Sequence, residues 1–194
     1  MATLEQIKKL REKTGAGIVE VKKALEESQG DEDKAIEILR KKSKDKAIKK
    51  SDRVAGEGVI VAYVHSNNRI GAMVELLCET DFVARNDEFK ALAQDIAMHI
   101  TATNPQYIKP EDVPAEIVEK EKEIWVAQLA AERKPAEIMD KILEGKEKKF
   151  REEISLLTQP FVKNPDQTVG ELITEKIGKI GENIQVGEFS RLEL

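Results

Sequence analysis

The pattern of apolar and polar residues changes abruptly near residue 80. Residues 70–78 form a nearly continuous apolar run, which predicts a buried β-strand. Further along, apolar residues recur at intervals of three and four, which predicts a helix with one buried face: Phe89, Leu92, Ile96 and Ile100. Thr80 and Asn86 are two possible N-caps between these elements. A segment that stops and restarts in this way projects side chains outward, which places Asp81 beside Phe82 near a surface.

The pattern alone leaves two interpretations of Asp81 and Phe82 open. An aspartate at a helix start is stabilised by the positive end of the helix dipole, and a phenylalanine after a strand usually belongs to the core. In that interpretation the pair has only a structural role, and this is the commoner situation for such residues. In the other interpretation, the two side chains form an exposed recognition element.

Helix-start and helix-stop signals divide residues 1–52 into three short helices joined by two tight turns. Polar N-caps mark the first and third starts and glycines mark the breaks: Thr3 and Asp31 are the caps, and Gly15, Gly17 and Gly30 are the breaks. The second helix is expected to begin at Ile18. A three-helix module of this size resembles a ubiquitin-associated domain, which has a small core and commonly presents an apolar turn to a partner.

The rest of the chain predicts a three-stranded antiparallel sheet covered by helices. Two strands, Val59–His65 and Ile70–Cys78, flank a hairpin turn, and Asn183–Phe189 alternates as a third. Because an isolated hairpin is only marginally stable in water, the distant third strand and the helices must complete the fold.

Residues 114–157 predict a helical hairpin. One helix is expected from Ala115 to Arg133, and Pro135 suits the first turn of the next helix, which Gly145 should interrupt. The many Glu and Lys residues of this region are typical of a solvated face.

A last helix is expected from its cap, Thr168, to Ile177, with its close near Gly178. Together these elements predict an α+β fold in two domains. Residues 1–52 would form the helical module with a basic connector, and residues 53–194 an α+β core.

Composition is that of a helix-rich protein with amphipathic surfaces. Of the 194 residues, 36% are charged and 4% are aromatic, and the net charge is −5. No apolar run approaches the ~20 residues that a membrane-spanning helix needs. The chain opens directly into a helical pattern, without the apolar core of a signal peptide. These features predict a soluble, cytoplasmic protein with no membrane partner.

Residues 40–53 form the basic connector. Residues 1–53 hold 15 Lys and Arg against 11 Asp and Glu, although the whole chain is acidic. A basic run is compatible with nucleic-acid binding, but this one lacks the interleaved aromatic residues that stack on bases. A solvated helical extension or linker is the favoured interpretation, with no direct nucleic-acid contact. Its lysines remain available to an acidic protein surface.

The chain offers few groups for covalent chemistry. Only His65 and His99 ordinarily titrate near neutral pH, and the single cysteine, Cys78, is expected to be a buried strand residue. No glycine-rich phosphate loop and no Cys/His spacing for zinc occurs in the sequence. A hydrolase or transferase is therefore disfavoured, and the sequence predicts no cofactor and no metal.

Two sequence blocks carry a resemblance to a known family. One block is Thr80-Asp81-Phe82-Val83-Ala84-Arg85-Asn86, and the other comprises residues 10–17 and 22–25. In this order they resemble the elongation factor Ts family, the guanine-nucleotide exchange factors of elongation factor Tu, and related sequence extends over the whole chain. The resemblance implies a translation elongation factor that binds elongation factor Tu, with GDP or without nucleotide, and promotes GDP release.

The resemblance also implies roles for the first block. Phe82 would wedge between helices of the partner's nucleotide-binding domain, and Asp81 would disturb the network that holds the partner's magnesium. Val83 and Ala84 would support the wedge, and Thr80 would set its angle as a cap. None of these roles involves covalent chemistry, so the implied protein is not an enzyme.

The N-terminal module would grip the same domain of the partner through its first turn. Carried over by position, the contact residues are Gly15, Ala16, Gly17, Ile18 and Val19. The family more often has methionine at the last two positions, and the aliphatic residues here preserve an apolar patch. One of Ile18 and Val19 can alternatively belong to the core, but adjacent helical residues do not readily both face inward.

Two further expectations concern partners. Longer family members carry two copies of the core motif whereas this chain has one, so the resemblance implies a homodimer that holds two elongation factor Tu molecules. The helical module and basic connector also leave a different class open, namely a ribosome- or RNA-associated adaptor without exchange activity. Steep salt dependence of RNA binding, together with indifference to GDP, would identify such an adaptor.

Overall fold

Three helices pack around one apolar cluster in the first part of the chain. The computed structural model describes residues 2–131 and 136–194. The three helices span Leu4–Thr14 (α1), Ile18–Glu27 (α2) and Glu32–Ile48 (α3). Buried aliphatic side chains from all three form their core: Ile7, Leu10, Val21, Ala24, Leu25, Ala35 and Leu39. The predicted three-helix module is confirmed.

Local chemistry fixes the ends of these helices. The Thr3 hydroxyl accepts a hydrogen bond from the Gln6 N–H, and the Gln6 side chain accepts one from the Thr3 N–H, which is a capping box. Asp31 begins α3 by accepting the Lys34 N–H at 3.1 Å. Gly15 ends α1 with a φ of 66°, a conformation that glycine adopts without strain.

The third helix continues into the basic connector. Because α3 ends only at Ile48, the first part of residues 40–53 is a helical extension, as expected. Two of its lysines form ion pairs with glutamates of α2: Lys42 with Glu27, and Lys46 with Glu20. These two charges are therefore already partnered within the module.

The central part of the chain folds as its pattern predicts. Strands Glu57–Val64 (β1) and Ile70–Cys78 (β2) are followed by a short helix, Asp81–Ala84 (α4), and a long one, Asp87–Thr103 (α5). The four residues predicted to line one face of α5 are all buried: Phe89, Leu92, Ile96 and Ile100. The helical period therefore identified the buried face correctly.

Two long helices form the predicted hairpin. They span Ala115–Ala131 (α6) and Ala136–Glu153 (α7), and the expected helix end at Arg133 and start at Pro135 lie outside the described residues. The rings of Trp125 and Phe150 pack edge to face with centroids 5.7 Å apart. Leu129 and Leu143 complete the buried part of this contact.

The expected interruption at Gly145 is wrong, because α7 is continuous through this residue. A glycine within a helix costs only about 1 kcal/mol relative to alanine. The apolar contacts of Leu143 and Phe150, on either side of it, stabilise the helix across that position.

A small hairpin that the pattern did not predict follows α7. Strand Pro160–Phe161 (β3) pairs antiparallel with strand Asn164–Thr168 (β4). The two residues of β3 are too few for an alternating pattern to show.

The last helix, Val169–Ile180 (α8), begins where the sequence predicts and ends later. The Thr168 hydroxyl accepts the Glu171 N–H at 3.1 Å, which confirms the cap. The expected close near Gly178 is wrong, since α8 continues through it. The chain leaves the helical conformation at Gly181, which has a φ of 92°.

One antiparallel sheet completes the fold. The final strand, Gln185–Glu193 (β5), begins and ends later than the expected third strand, and the sheet order β1-β2-β5 places β2 in the centre. The α+β class with a three-stranded antiparallel sheet and helices packed on it is therefore confirmed.

The chain divides into two compact units, each built from several segments. One comprises Met1–Ala62, Met73–Asp95 and Leu172–Phe189, and the other Tyr63–Ala72, Ile96–Glu171 and Ser190–Leu194. The expected domain boundary near residue 52 stays a prediction. Within the described ranges, no helix is long and apolar enough to cross a membrane.

His99 lies at the centre of a buried polar network in the second of these units. Its Nε2 is 3.0 Å from the Gln159 Oε1, and its Nδ1 accepts the Val162 N–H at 3.2 Å. Because an amide oxygen only accepts, Nε2 carries the proton and the ring is neutral. Burial lowers the pKa of His99, and the hydrogen bond to Gln159 offsets only part of that effect.

We expect acid to destabilise the protein through His99. Its pKa is lower in the folded than in the unfolded chain, so the unfolded chain binds the extra proton first. The free energy of unfolding should fall as the pH drops below about 6.5, by up to about 1.4 kcal/mol per pH unit, until the folded pKa is reached. Urea unfolding at about pH 7.5 and about pH 5.5 measures this loss. His99→Gln should show a smaller loss, and an unchanged loss would contradict the assignment.

Candidate functional site

The side chain of Phe82 projects into solvent from a four-residue helix. Phe82 is 80% exposed, whereas Phe89, seven positions later, is fully buried. The interpretation of Phe82 as a core residue is therefore wrong. Burying a phenylalanine side chain contributes roughly 1.5–3 kcal/mol of hydrophobic free energy, and the exposed Phe82 ring does not contribute it to folding. This apolar surface is therefore available to a partner.

Both predicted caps around this helix are present. The Thr80 hydroxyl accepts the Val83 N–H at 3.5 Å and begins α4, and the Asn86 side chain accepts the Glu88 N–H at 2.7 Å and begins α5. The helical conformation therefore ends and begins again within a few residues, as the sequence pattern indicated, and Phe82 lies on the short helix between the two caps.

The other members of the block have different environments. Ala84 is buried and Val83 is half-buried, so both lie on the inner side of α4 relative to Phe82. Asp81 is half-buried and forms an ion pair with Arg85, one helical turn later, at 3.0 Å. The segment thus presents an aromatic ring beside a carboxylate whose partner is an exposed side chain.

Glu182 holds the beginning of α4 from the segment that precedes β5. Its Oε2 accepts the backbone N–H groups of Glu79 and Thr80, each at 3.1 Å, and its Oε1 accepts the Thr80 hydroxyl at 2.7 Å. Sequence reasoning missed Glu182, because 102 residues separate it from Thr80 and no local pattern marks the pair.

The same two segments are joined by a second carboxylate, which accepts a hydrogen bond in the opposite direction. Glu79 accepts the Asn183 N–H at 2.7 Å, and the buried Asn183 side chain donates to the Arg53 carbonyl at 2.8 Å. We call Glu79, Thr80, Glu182 and Asn183 the carboxylate clasp. It ties together the end of the basic connector, the end of β2 and the start of β5.

The predicted N-terminal contact residues lie where α1 turns into α2. Ile18 is 55% exposed and Val19 is 65% exposed, so neither belongs to the core and the alternative that one of them does is wrong. Gly17 is also exposed, while Gly15 and Ala16 are half-buried. The apolar patch expected at this turn is present on the surface of the module.

Lys179 connects this turn to the start of α5. A Cβ placed on Gly15 would lie 3.3 Å from the Lys179 Cδ, and the Lys179 ammonium is 2.6 Å from Glu88, which also pairs with Lys176 at 2.7 Å. Burial raises the pKa of Glu88, but the two ammonium groups together lower it further, so the net pKa lies below its usual value. Both predicted surfaces therefore belong to one connected part of the first unit.

The groups near the site are not activated for covalent chemistry. Cys78 is buried at the end of β2, as predicted, and its thiol donates to the Thr80 carbonyl at 3.2 Å. Burial raises the pKa of Cys78, with the nearby Glu182 carboxylate acting in the same direction, and this disfavours the thiolate. Across residues 2–131 and 136–194, no cluster of three or more His, Cys, Asp or Glu side chains has the arrangement of a metal site.

Apolar side chains held in solvent on a hydrogen-bonded turn are typical of proteins that act by binding other proteins. Comparison with known proteins makes this class more specific. The family model described as elongation factor TS matches residues 3–194. The chain therefore belongs to the elongation factor Ts family, whose members are translation elongation factors.

Individual relatives match along 99–100% of this chain. The chain is 56% identical over 194 residues to the elongation factor Ts of Carboxydothermus hydrogenoformans, covering 100% of this chain and 89% of the relative. It is 56% identical over 192 residues to that of Thermodesulfovibrio yellowstonii, covering 99% and 96%. It is 54% identical over 193 residues to that of Acetivibrio thermocellus, covering 100% and 90%.

Phe82→Ala and Phe89→Ala form a matched pair that tests the two environments. Because Phe82 is exposed, its truncation should change the free energy of unfolding by no more than about 0.5 kcal/mol. Truncating the buried Phe89 should cost about 3–5 kcal/mol, since it removes core contacts and leaves a cavity. Urea unfolding followed by circular dichroism measures both. A loss above about 2 kcal/mol for Phe82→Ala would show that its ring packs in the core.

Proposed function

We propose that this protein binds elongation factor Tu and promotes the release of its GDP. The observation that carries the proposal is the solvent-exposed ring of Phe82, held on a fixed turn within the block that resembles the family signature. Family membership supports the choice of partner. The proposed partner states are the GDP-bound and nucleotide-free forms, in the cytoplasm where translation takes place.

The proposed mechanism is a thermodynamic coupling and not a covalent reaction. A protein that binds the nucleotide-free state of its partner more tightly must weaken GDP binding by the same factor that GDP weakens its own binding. Burying the Phe82 ring only in the nucleotide-free complex would supply roughly 1.5–3 kcal/mol, which is about 10- to 150-fold in GDP affinity. Phe82 would act as a wedge between helices of the partner's nucleotide-binding domain.

Asp81 would act beside the wedge by disturbing the network that holds the partner's magnesium. Its ion pair with Arg85 is an exposed contact, and such pairs contribute about 0–1 kcal/mol. Releasing Asp81 towards the partner would therefore cost little. Thr80 would set the angle of the wedge as the cap, while Val83 and the buried Ala84 would support it from the inner side of α4.

The N-terminal module would supply affinity. We assign this role to the patch at its first turn: Gly15, Ala16, Gly17, Ile18 and Val19. Residues 1–52 would then form a gripping module, and residues 53–194 a core and dimerisation domain. The protein would act as a homodimer that holds two partner molecules, and it would need no cofactor and no direct contact with nucleic acid.

Phe82→Ala is expected to reduce exchange with little effect on folding. Fluorescent GDP bound to purified elongation factor Tu reports release after this protein is added in substoichiometric amounts. The wild-type protein should accelerate release catalytically, and Phe82→Ala should lower the maximal rate by about 10- to 150-fold, because the wedge contributes only in the nucleotide-free complex. Val162→Ala, which truncates an exposed side chain on the turn after β3, is the control and should retain wild-type activity.

Unchanged GDP release in the presence of folded wild-type protein would contradict the proposal. Titration of ribosomal RNA at several salt concentrations would then test the adaptor alternative, whose binding should weaken steeply with salt.

Val19→Asp is expected to separate affinity from catalysis. It places a carboxylate in the apolar patch, and because Val19 is exposed, the change should leave the fold intact. The concentration giving half-maximal GDP release should rise by about tenfold or more, while the maximal rate at saturation should change by less than about threefold. An unaltered half-maximal concentration would mean that this turn does not bind the partner. Leu4→Asp, at an exposed apolar position at the start of α1, makes the same change of charge away from the turn and is the control.

A further inference from the structure

The four residues of α4 cannot fix their own orientation. A single helical turn gains too few internal hydrogen bonds to offset the entropy of ordering it. Its outer surface carries Phe82, which has no packing to hold it, and the exposed Asp81–Arg85 ion pair, which contributes little. The direction in which Phe82 points must therefore be set by contacts from outside α4.

Glu182 provides the strongest polar contacts to the residues where α4 begins. It accepts three hydrogen bonds from two consecutive residues, namely both backbone N–H groups and the Thr80 hydroxyl. Hydrogen bonds to a charged acceptor are roughly twice as strong as neutral ones. The same Thr80 hydroxyl oxygen accepts the Val83 N–H, so the contact from Glu182 continues directly into the first turn of α4.

Glu182 is itself held in place by its neighbour. The Asn183 N–H donates to Glu79, and the Asn183 side chain is anchored on the Arg53 carbonyl. The clasp therefore fixes the two carboxylates relative to each other and to the backbone. Glu79 and Thr80 are the two residues between the end of β2 and the start of α4, so the clasp acts at that junction.

We propose that Glu182 is a positioning residue for nucleotide exchange, acting through Thr80 to hold Phe82 at the angle needed for insertion into the partner. This inference rests on the proposed exchange function. Glu182 contacts the backbone that carries the Phe82 ring and not the partner itself. Removing its side chain should therefore lower the maximal exchange rate, which depends on the orientation of Phe82, more than it lowers the affinity for the partner.

The chemistry of the contact distinguishes two substitutions. In Glu182→Gln, the amide oxygen can still accept both N–H groups and the amide nitrogen can donate to the Thr80 hydroxyl oxygen. In Glu182→Ala, all three contacts are lost and two backbone N–H groups lose their partner. The glutamine variant should therefore retain the orientation of α4, and the alanine variant should not.

The test measures GDP release from elongation factor Tu over a range of concentrations of each full-length variant. Glu182→Ala should lower the maximal rate by about 10- to 100-fold with a half-maximal concentration within about threefold of wild type. Glu182→Gln should stay within about threefold of wild type. Thr168→Ala, which removes the cap of α8, controls for a general loss of stability and should leave the maximal rate unchanged. An equal fall in Glu182→Ala and Thr168→Ala would overturn the inference.

A double substitution tests the route through Phe82. If Glu182 acts by orienting that ring, Glu182→Ala should have little further effect in a Phe82→Ala background, and additive losses would overturn the inference. Hydrogen exchange of the Glu79 and Thr80 amides should also be faster in Glu182→Ala.

The failure of this inference is distinguishable from the failure of the proposed function. If wild-type protein accelerates GDP release and Glu182→Ala does so equally, only the role of Glu182 is wrong. If folded wild-type protein does not accelerate release, the exchange function is wrong and the positioning role is overturned with it.

Discussion

An aromatic ring that must remain in water cannot be positioned by packing, and this constraint explains the polar structure around Phe82. Its orientation depends on the backbone beneath it, and that backbone is held by carboxylates that accept N–H groups. The buried amide of Asn183 extends the same network to the connector at Arg53. Hydrogen bonds here fix the backbone, as a hydrophobic core does elsewhere, because the apolar ring itself is exposed.

Ion pairs at the start of α5 also help to hold the exposed segments of the first unit in place. Glu88, near the start of α5, binds two lysines of α8, and one of them also lies against Gly15 in the first turn of the helical module. The surface around Ile18 and the segment around Phe82 are thus tied to the same helix. Their arrangement therefore does not rely on the connector alone.

Much of the fold could be predicted because its determinants are local. The period of three and four from Phe89 onward identified the buried face of α5, and the side-chain chemistry of Thr80 and Asn86 identified two helix starts within seven residues. Local propensity was misleading at Gly145, where packing between helices outweighs the cost of a glycine. The exposure of Phe82 depends on what surrounds it, so the pattern alone left it undecided.

The carboxylate clasp could not be predicted, because Glu182 is 102 residues from Thr80 and no local pattern links the two. The same separation has a consequence for synthesis on the ribosome, where the chain emerges from its N-terminus. Thr80 leaves the exit tunnel long before Glu182 is translated, so the clasp can close only after residues 182 and 183 have emerged as well. A nascent or truncated chain can therefore contain the whole block from Thr80 to Asn86 without the hydrogen bonds that Glu182 accepts from Thr80.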